Sequence, residues 1–300
     1  MQPPSHAKEC RKLTSGFNQK QSSRHITFLF LLCPICSRLT GATFLVCHLT
    51  PVMLGFRRFF ITSMRQYSSR KQGTDTGSWG ESLRDNMGAA VTWDSIYNCY
   101  SSNKSLHFDW FFGYNHMRSF LHSLICELAP QKYTGPPLHL IDLGCGTSDV
   151  GLGIYRDSPV PVLMSCVDRS APAIVAMNNI LTKGPPIIPR HPDSCLQFIE
   201  GDATDLHGFP SASVSLVLDK GTSDSLLRSS RMEAHRMVKE ALRILHPKGK
   251  LVQLTDEDPD ARLHFLEEAG VGPEVTFQIL GDRDDISYYA YIVTPSPCSE

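Results

Sequence analysis

From about residue 91 the chain alternates continuous apolar runs with stretches that are apolar only at helical spacing. Met117, Phe120, Leu121, Leu124, Ile125 and Leu128 recur three and four residues apart, which predicts an amphipathic helix stopping before Pro130. Short apolar runs bounded by Gly, Pro and polar clusters predict strands at 138–143, 162–168, 196–200, 213–218 and 250–255. Helical patterns fit between them, notably at 170–182 and 232–245, with another near 259–269. The closing runs VTFQIL and ISYYAYIV, joined by a polar loop containing Gly281, read as an antiparallel pair. Strand–helix alternation of this kind predicts an α/β fold. The expected form is a seven-stranded, doubly wound (Rossmann-like) sheet of five parallel strands and a terminal antiparallel hairpin. No internal repeat is present. The expected organisation is a basic leader over 1–67, a linker and N-terminal cap over 68–105, and one domain over 106–300.

Chemistry collects at the ends of the predicted strands. LHLIDLGCGTS, residues 138–148, is a strand carrying Asp142 followed by a turn with Gly144 and Gly146. Glycines let a backbone pass close to a ligand where a Cβ would collide, and the following helix presents free N–H groups. The next strand ends on Asp168, placed to accept hydrogen bonds from both hydroxyls of a ribose. Asp202-Ala203 follow the third strand, with Asp202 placed to accept from an adenine amino group. Asp219-Lys220-Gly221-Thr222 follow the fourth and Asp256-Glu257-Asp258 the fifth, although a solvated turn is an equal reading of 256–260. Polar groups at such edges line the ligand crevice of an open parallel sheet. A dinucleotide is disfavoured, because the third glycine of that fingerprint falls on Asp149, whose charge would oppose a pyrophosphate. S-adenosylmethionine (SAM) carries cations and no phosphate, and Asp142 is well placed to favour them.

The formal net charge of −1 hides an asymmetry. Residues 1–74 hold 11 Lys/Arg and one acid, which leaves 18 basic and 29 acidic residues in the remainder. A body of net charge −11 argues against a nucleic-acid surface and suits a basic protein segment or a lysine side chain. The ten cysteines show no disulfide-framework or zinc spacing, so no metal is expected, and Cys145 reads as a small packing residue.

In the leader, Phe56, Phe60, Met64 and Tyr67 share one helical face while Arg57, Arg58 and Arg65 gather opposite. Basic, acid-free and serine-flanked, the segment reads as a mitochondrial transit peptide, with Met53 an alternative start. A secretory reading of the apolar run 26–36 competes with it, and a membrane-span reading of the same run is opposed by Pro34 and Arg38, which cut it short of the roughly 18 residues a span needs. No stable membrane anchor is expected.

IDLGCG, CVD and GDATDL resemble the class I SAM-dependent methyltransferases over residues 106–294. LDKGT at 218–222 narrows the resemblance to protein-lysine methyltransferases. FDWFFGY, DEDPDAR and ISYYAYIV, with the leader, are similar to the mitochondrial citrate synthase lysine methyltransferases. That resemblance implies SAM as cofactor, citrate synthase as protein substrate and the mitochondrial matrix as location. Ser148 departs from a common third glycine, and Asp224-Ser225 from the subgroup's usual Asp-Ala.

Methyl transfer from a sulfonium is an in-line displacement, so the protein mainly positions a neutral amine. Asp219 is the expected group for orienting that amine, with a base role also open to it. Phe108, Trp110, Phe112 and Tyr114 are expected to wall the slot by cation–π attraction, or else to pack the N-terminal helix. Lys220 is expected beside the cofactor carboxylate or a neighbouring acid. A methyltransferase for another matrix protein or a small molecule, and a non-catalytic SAM-binding partner, are the competing functions.

Overall fold

The computed structural model describes residues 86–102, 107–129, 133–272, 274–283 and 286–295. The leader and most of the 68–105 segment lie outside these residues, and so does the transit-peptide reading. In chain order the elements are α1 (Ala90–Ser102), α2 (Tyr114–Leu128), β1 (Leu138–Leu143), α3 (Val150–Asp157), β2 (Val162–Asp168), α4 (Ala171–Lys183) and β3 (Cys195–Glu200). They continue with β4 (Val214–Lys220), α5 (Thr222–Leu227), α6 (Arg231–Ile244), β5 (Leu245–Thr255), α7 (Pro259–Glu268), β6 (Val275–Arg283) and β7 (Ile286–Val293).

The seven strands form one sheet in the order β3-β2-β1-β4-β5-β7-β6. β1 to β5 pair in parallel, whereas β7 pairs antiparallel with both β5 and β6. The strand order reverses between β1 and β4, where an open α/β sheet leaves its ligand crevice. Interior strands of such a sheet are buried on both faces, which is why β1 reads as an almost unbroken apolar run. Leu140 packs with Met117, Leu121 and Ile125 of α2 on one side. Its neighbour Ile141 packs with Met237 and Val238 of α6 on the other. A third cluster, built from Ile96, Tyr97, Phe108, Trp110, Phe111 and Tyr288, sits apart from these two layers.

Boundaries depart furthest from the sequence reading in β5 and β6. β5 begins at Leu245, not 250, because the stretch read as a turn is an outward bulge between the pairs Val214↔Leu245 and Leu216↔Lys250. Gly281, expected in the hairpin loop, lies within β6 at a register shift between Ile279 and Gly281. Two helices have no counterpart among the predicted elements: α1, within the expected linker and cap, and the six-residue α5. Among the described residues, no helix is long and apolar enough to cross a membrane.

Candidate active site

β1 runs into a turn that only glycine permits at two points. Gly144 and Gly146 have φ of +66° and +52°. A Cβ on Gly144 would stand 2.0 Å from Thr222 Oγ1, and one on Gly146 would stand 2.3 Å from Tyr97 Oη. The Gly144 and Cys145 amides donate to Val167 O at 2.7 and 3.1 Å, pinning the turn against β2. Asp168, the last residue of β2, accepts from Gly146 N at 2.7 Å and from Ser170 N at 2.8 Å. Burial raises its carboxyl pKa against the opposing pull of these two amides.

A cleft with a cavity volume of about 90 Å³ opens over this turn. Of the expected cofactor residues, Gly144, Asp168, Asp202 and Ala203 line it; of the expected slot residues, Phe108, Trp110 and Lys220 do. Gly146 supports the floor through Asp168 and Tyr97. Asp142 lies beneath, 2% exposed, with an Oδ2 that has no hydrogen-bond partner. Burial drives its pKa up to about 7, and the nearby Lys220 ammonium only partly opposes this. An orphaned acid oxygen under a glycine cradle fits a cationic ligand such as SAM.

Two expectations are corrected by the packing. Asp219 does not line the cleft: it is fully buried, and both its oxygens are engaged. Oδ1 accepts from Thr222 N at 3.0 Å and Ser223 N at 3.1 Å, while Oδ2 accepts from Gln253 Nε2 at 2.7 Å. It fixes the start of α5, so it positions Thr222 instead of handling an amine. Tyr114 is also outside the cleft, because its ring packs where a Cβ on Gly153 would stand 2.1 Å from Tyr114 Cγ. Its Oη shares a 2.9 Å hydrogen bond with His122 Nε2 of the same helix, and the ring's contact with Gly153 joins α2 to α3. Phe112 stacks on His116 and meets Tyr288 edge-on, a packing role.

At the start of α3, expected to offer its N–H groups to a ligand, Val150 N donates to Ser148 Oγ at 3.3 Å, and Asp149 Oδ1 accepts from Tyr114 N at 2.7 Å. Residues 107–114 are strapped across the glycine turn by several such bonds. Phe108 N donates to Thr147 Oγ1 at 3.0 Å, and Ser148 Oγ donates to Asp109 Oδ1. Lys220 Nζ completes the strap by donating to Trp110 O at 2.9 Å and Asp109 Oδ1 at 3.3 Å. One of the two expected partners of Lys220, a neighbouring acid, is thus Asp109.

Sequence reasoning missed Trp93 and Tyr97 of α1, both of which line the cleft. Their i, i+4 spacing in TWDSIYNCY was the available signal. It missed Arg262 as well. That guanidinium donates to Asp224 Oδ1, to Ser223 Oγ at 3.1 Å and to Thr255 Oγ1 at 3.0 Å, and ion-pairs with Glu257 at 2.7 Å. The acids after β5 are therefore built into the fold. Glu257 faces Arg262, Asp258 caps α7 through Ala261 N at 3.2 Å, and both Asp256 oxygens are buried. Cys145 is a buried free thiol whose pKa burial pushes up, as a packing residue's would be. Among the described residues, no group of His, Cys, Asp and Glu is arranged to hold a metal.

The parallel sheet with its antiparallel β7, the glycine turn and the acids at the strand ends define a class I SAM-dependent methyltransferase. Residues 141–253 match the family model for a methyltransferase domain. The mitochondrial citrate synthase-lysine N-methyltransferase of Homo sapiens is 42% identical over 193 residues, covering 63% of this chain and 79% of that one. The Danio rerio protein of the same name is 37% identical over 222 residues, covering 70% and 85%. Among solved structures, a SAM-dependent methyltransferase from Methanosarcina mazei aligns over 54% of this chain and 94% of its own, at 16% identity and a TM-score of 0.42. The chain belongs to the family of these curated relatives and is a SAM-dependent protein-lysine methyltransferase.

Proposed function

We propose that the protein methylates a lysine of citrate synthase in the mitochondrial matrix. The observation that carries this reading is the 42% and 37% identity to relatives named for that substrate, spanning 79% and 85% of their lengths. The basic, acid-free leader supports a mitochondrial destination. The net charge of −11 on residues 75–300 favours a basic protein segment over nucleic acid.

Bound SAM supplies an electrophilic methyl group on a sulfonium. In this reading Asp142 and Asp168 hold its charged and ribose portions, and Asp202 and Ala203 hold its adenine. The glycine turn lets the backbone approach without a Cβ in the way. Phe108 and Trp110 wall the slot for the target side chain. A lysine ammonium, with a free pKa of about 10.4, must lose its proton before attack, and desolvation between aromatic rings favours the neutral form. Asp219 is buried away from the cleft, so the proton leaves to solvent at its mouth. The strap held by Lys220 keeps water off the reacting atoms.

The test is labelled-methyl transfer from SAM into mitochondrial matrix extract, using the full chain. A single labelled band that is removed by depleting citrate synthase is expected. Label confined to other proteins would overturn the substrate assignment while leaving the chemistry intact.

A further inference from the structure

The sheet ends at β6, and the two faces of that strand differ. On the α2 side Leu280 packs against the core, and a Cβ on Gly281 would stand 3.3 Å from His116 Nε2. On the α7 side Phe277 and Ile279 are left 46% and 59% exposed. They stand opposite Tyr291 and Tyr289 of β7, and directly opposed residues of an antiparallel pair share one face. The Phe277 ring centroid is 5.7 Å from that of Tyr291 and 6.3 Å from that of Tyr289. Tyr291 is fully buried among α6 and α7 residues, so Phe277 and Ile279 carry that core outward as an apolar step. Large apolar side chains bared on an edge strand mark an interaction surface or an aggregation hazard.

The step is continuous with the cleft. Ile279 pairs with Tyr289, and Tyr289 with Thr255 at the end of β5. Thr255 Oγ1 donates to Asp224 Oδ1 at 2.9 Å, and the next two residues, Ser225 and Leu226, line the cleft. β6 lies two strands from β5, about 10 Å at ordinary strand spacing. A folded partner seated on the step spans that distance with its own surface.

The charge around the step is one-sided. Residues 251–300 hold 11 Asp/Glu and two Lys/Arg, a net of −9 out of the −11 on residues 75–300. One of the two cations, Arg262, is buried against Asp224 and Glu257. Tyr291 Oη donates to Glu257 O at 2.8 Å, which ties the apolar step to the acidic turn after β5. Asp260 in the first turn of α7 and Glu274 just before β6 are exposed. A second copy of this chain fits badly here, because a two-fold contact sets the same acids against each other. A basic partner complements them.

We propose that the outer face of the β6–β7 hairpin, centred on Phe277 and Ile279, docks the protein substrate. The matching surface is an apolar side chain flanked by Lys and Arg on the partner, apart from the lysine that enters the cleft. This deepens the protein-lysine methyltransferase reading and rests on it, whichever protein is methylated.

The experiment measures initial methylation rates against acceptor concentration for the wild-type chain, the Phe277→Ser/Ile279→Ser double variant and Glu274→Lys. Purified citrate synthase is the probe. If the wild-type chain leaves it unmodified, the proposed substrate fails, and the probe becomes the matrix protein that the chain does label, purified from extract. The double variant is expected to raise KM roughly 10-fold or more with kcat within about two-fold, the mark of lost docking contacts. Its SAM affinity by calorimetry should match wild type. Glu274→Lys should raise KM and flatten its dependence on salt. An unchanged KM in both variants would overturn the proposal, as would a matching fall in SAM affinity, which a purely structural role produces. Light scattering that shows a wild-type dimer dispersed by the double substitution would also overturn it, giving the face to a second copy. Thermal unfolding checks that each variant is folded. Should the double variant not fold, Glu274→Lys alone decides, with an unchanged KM the contrary result.

Discussion

Arg262 and Asp224 form an ion pair at the foot of the cleft with side chains only 0% and 3% exposed. Asp224 lies in α5, next to the cleft residues Ser225 and Leu226, and Arg262 holds it from α7. Removing one partner leaves a buried charge uncompensated, which costs about 3–5 kcal/mol. Arg262→Met should lose that much unfolding free energy in urea, and Arg262→Met with Asp224→Asn should recover part of it. An unchanged denaturation midpoint in the single variant would show that the pair contributes nothing.

Asp168 joins the cofactor site to the glycine turn through Gly146 N and Ser170 N. Asp168→Ala should lower SAM affinity by ten-fold or more, about 1.4 kcal/mol or greater, read by calorimetry. Affinity within two-fold of wild type, in a folded variant, would remove the residue from the site (roughly 0.4 kcal/mol by the same conversion).

Gly146 and Tyr97 press on each other, since a Cβ at 146 would overlap the phenol oxygen at 2.3 Å. Gly146→Ala should therefore displace α1 and weaken SAM binding. Adding Tyr97→Phe removes the nearest atom and should restore part of the affinity. Full additivity of the two substitutions would deny the contact.

Asp256 gives a pH signature of definite sign. Burial and the nearby Asp224 carboxylate raise its pKa from 3.8 to about 7, with Arg228 and Arg262 opposing. Between those values the unfolded chain ionises while the folded chain keeps the proton, so this group lowers stability as pH rises. A tenfold change in an acid's ionisation constant on folding corresponds to about 1.4 kcal/mol. Asp256→Asn should match wild type near pH 4, gain on it up to about pH 7, and hold a constant advantage above. Melting curves across that range check it, and a variant less stable at pH 8 would contradict the assignment.

The parallel strands are legible in the sequence because burial on both faces leaves little room for polar residues. β1 and β2 match their expected limits for that reason. α1 is obscured because Ala90–Ser102 mixes Trp, Asp, Ser and Asn without a clean apolar stripe, and its partners arrive from the strap and α4. Asp219 is the right residue type at a strand end, but nothing local reveals that Gln253 and the α5 amides occupy it. In the sequence Tyr114 groups with Trp110 as one aromatic wall. The left-handed backbone at Phe111, φ +65°, lies between them, and Tyr114 packs in the core. Arg262 is illegible because Ser223, Asp224, Thr255 and Glu257, which it holds, lie 5 to 39 residues away and meet it only in the folded protein.

The most direct measurement is peptide mapping by mass spectrometry of purified citrate synthase after incubation with SAM and the full chain. Methyl groups on one lysine with the wild-type protein, and none with Asp168→Ala, are the predicted result. Unmodified citrate synthase with a wild-type protein that binds SAM would contradict the proposed substrate.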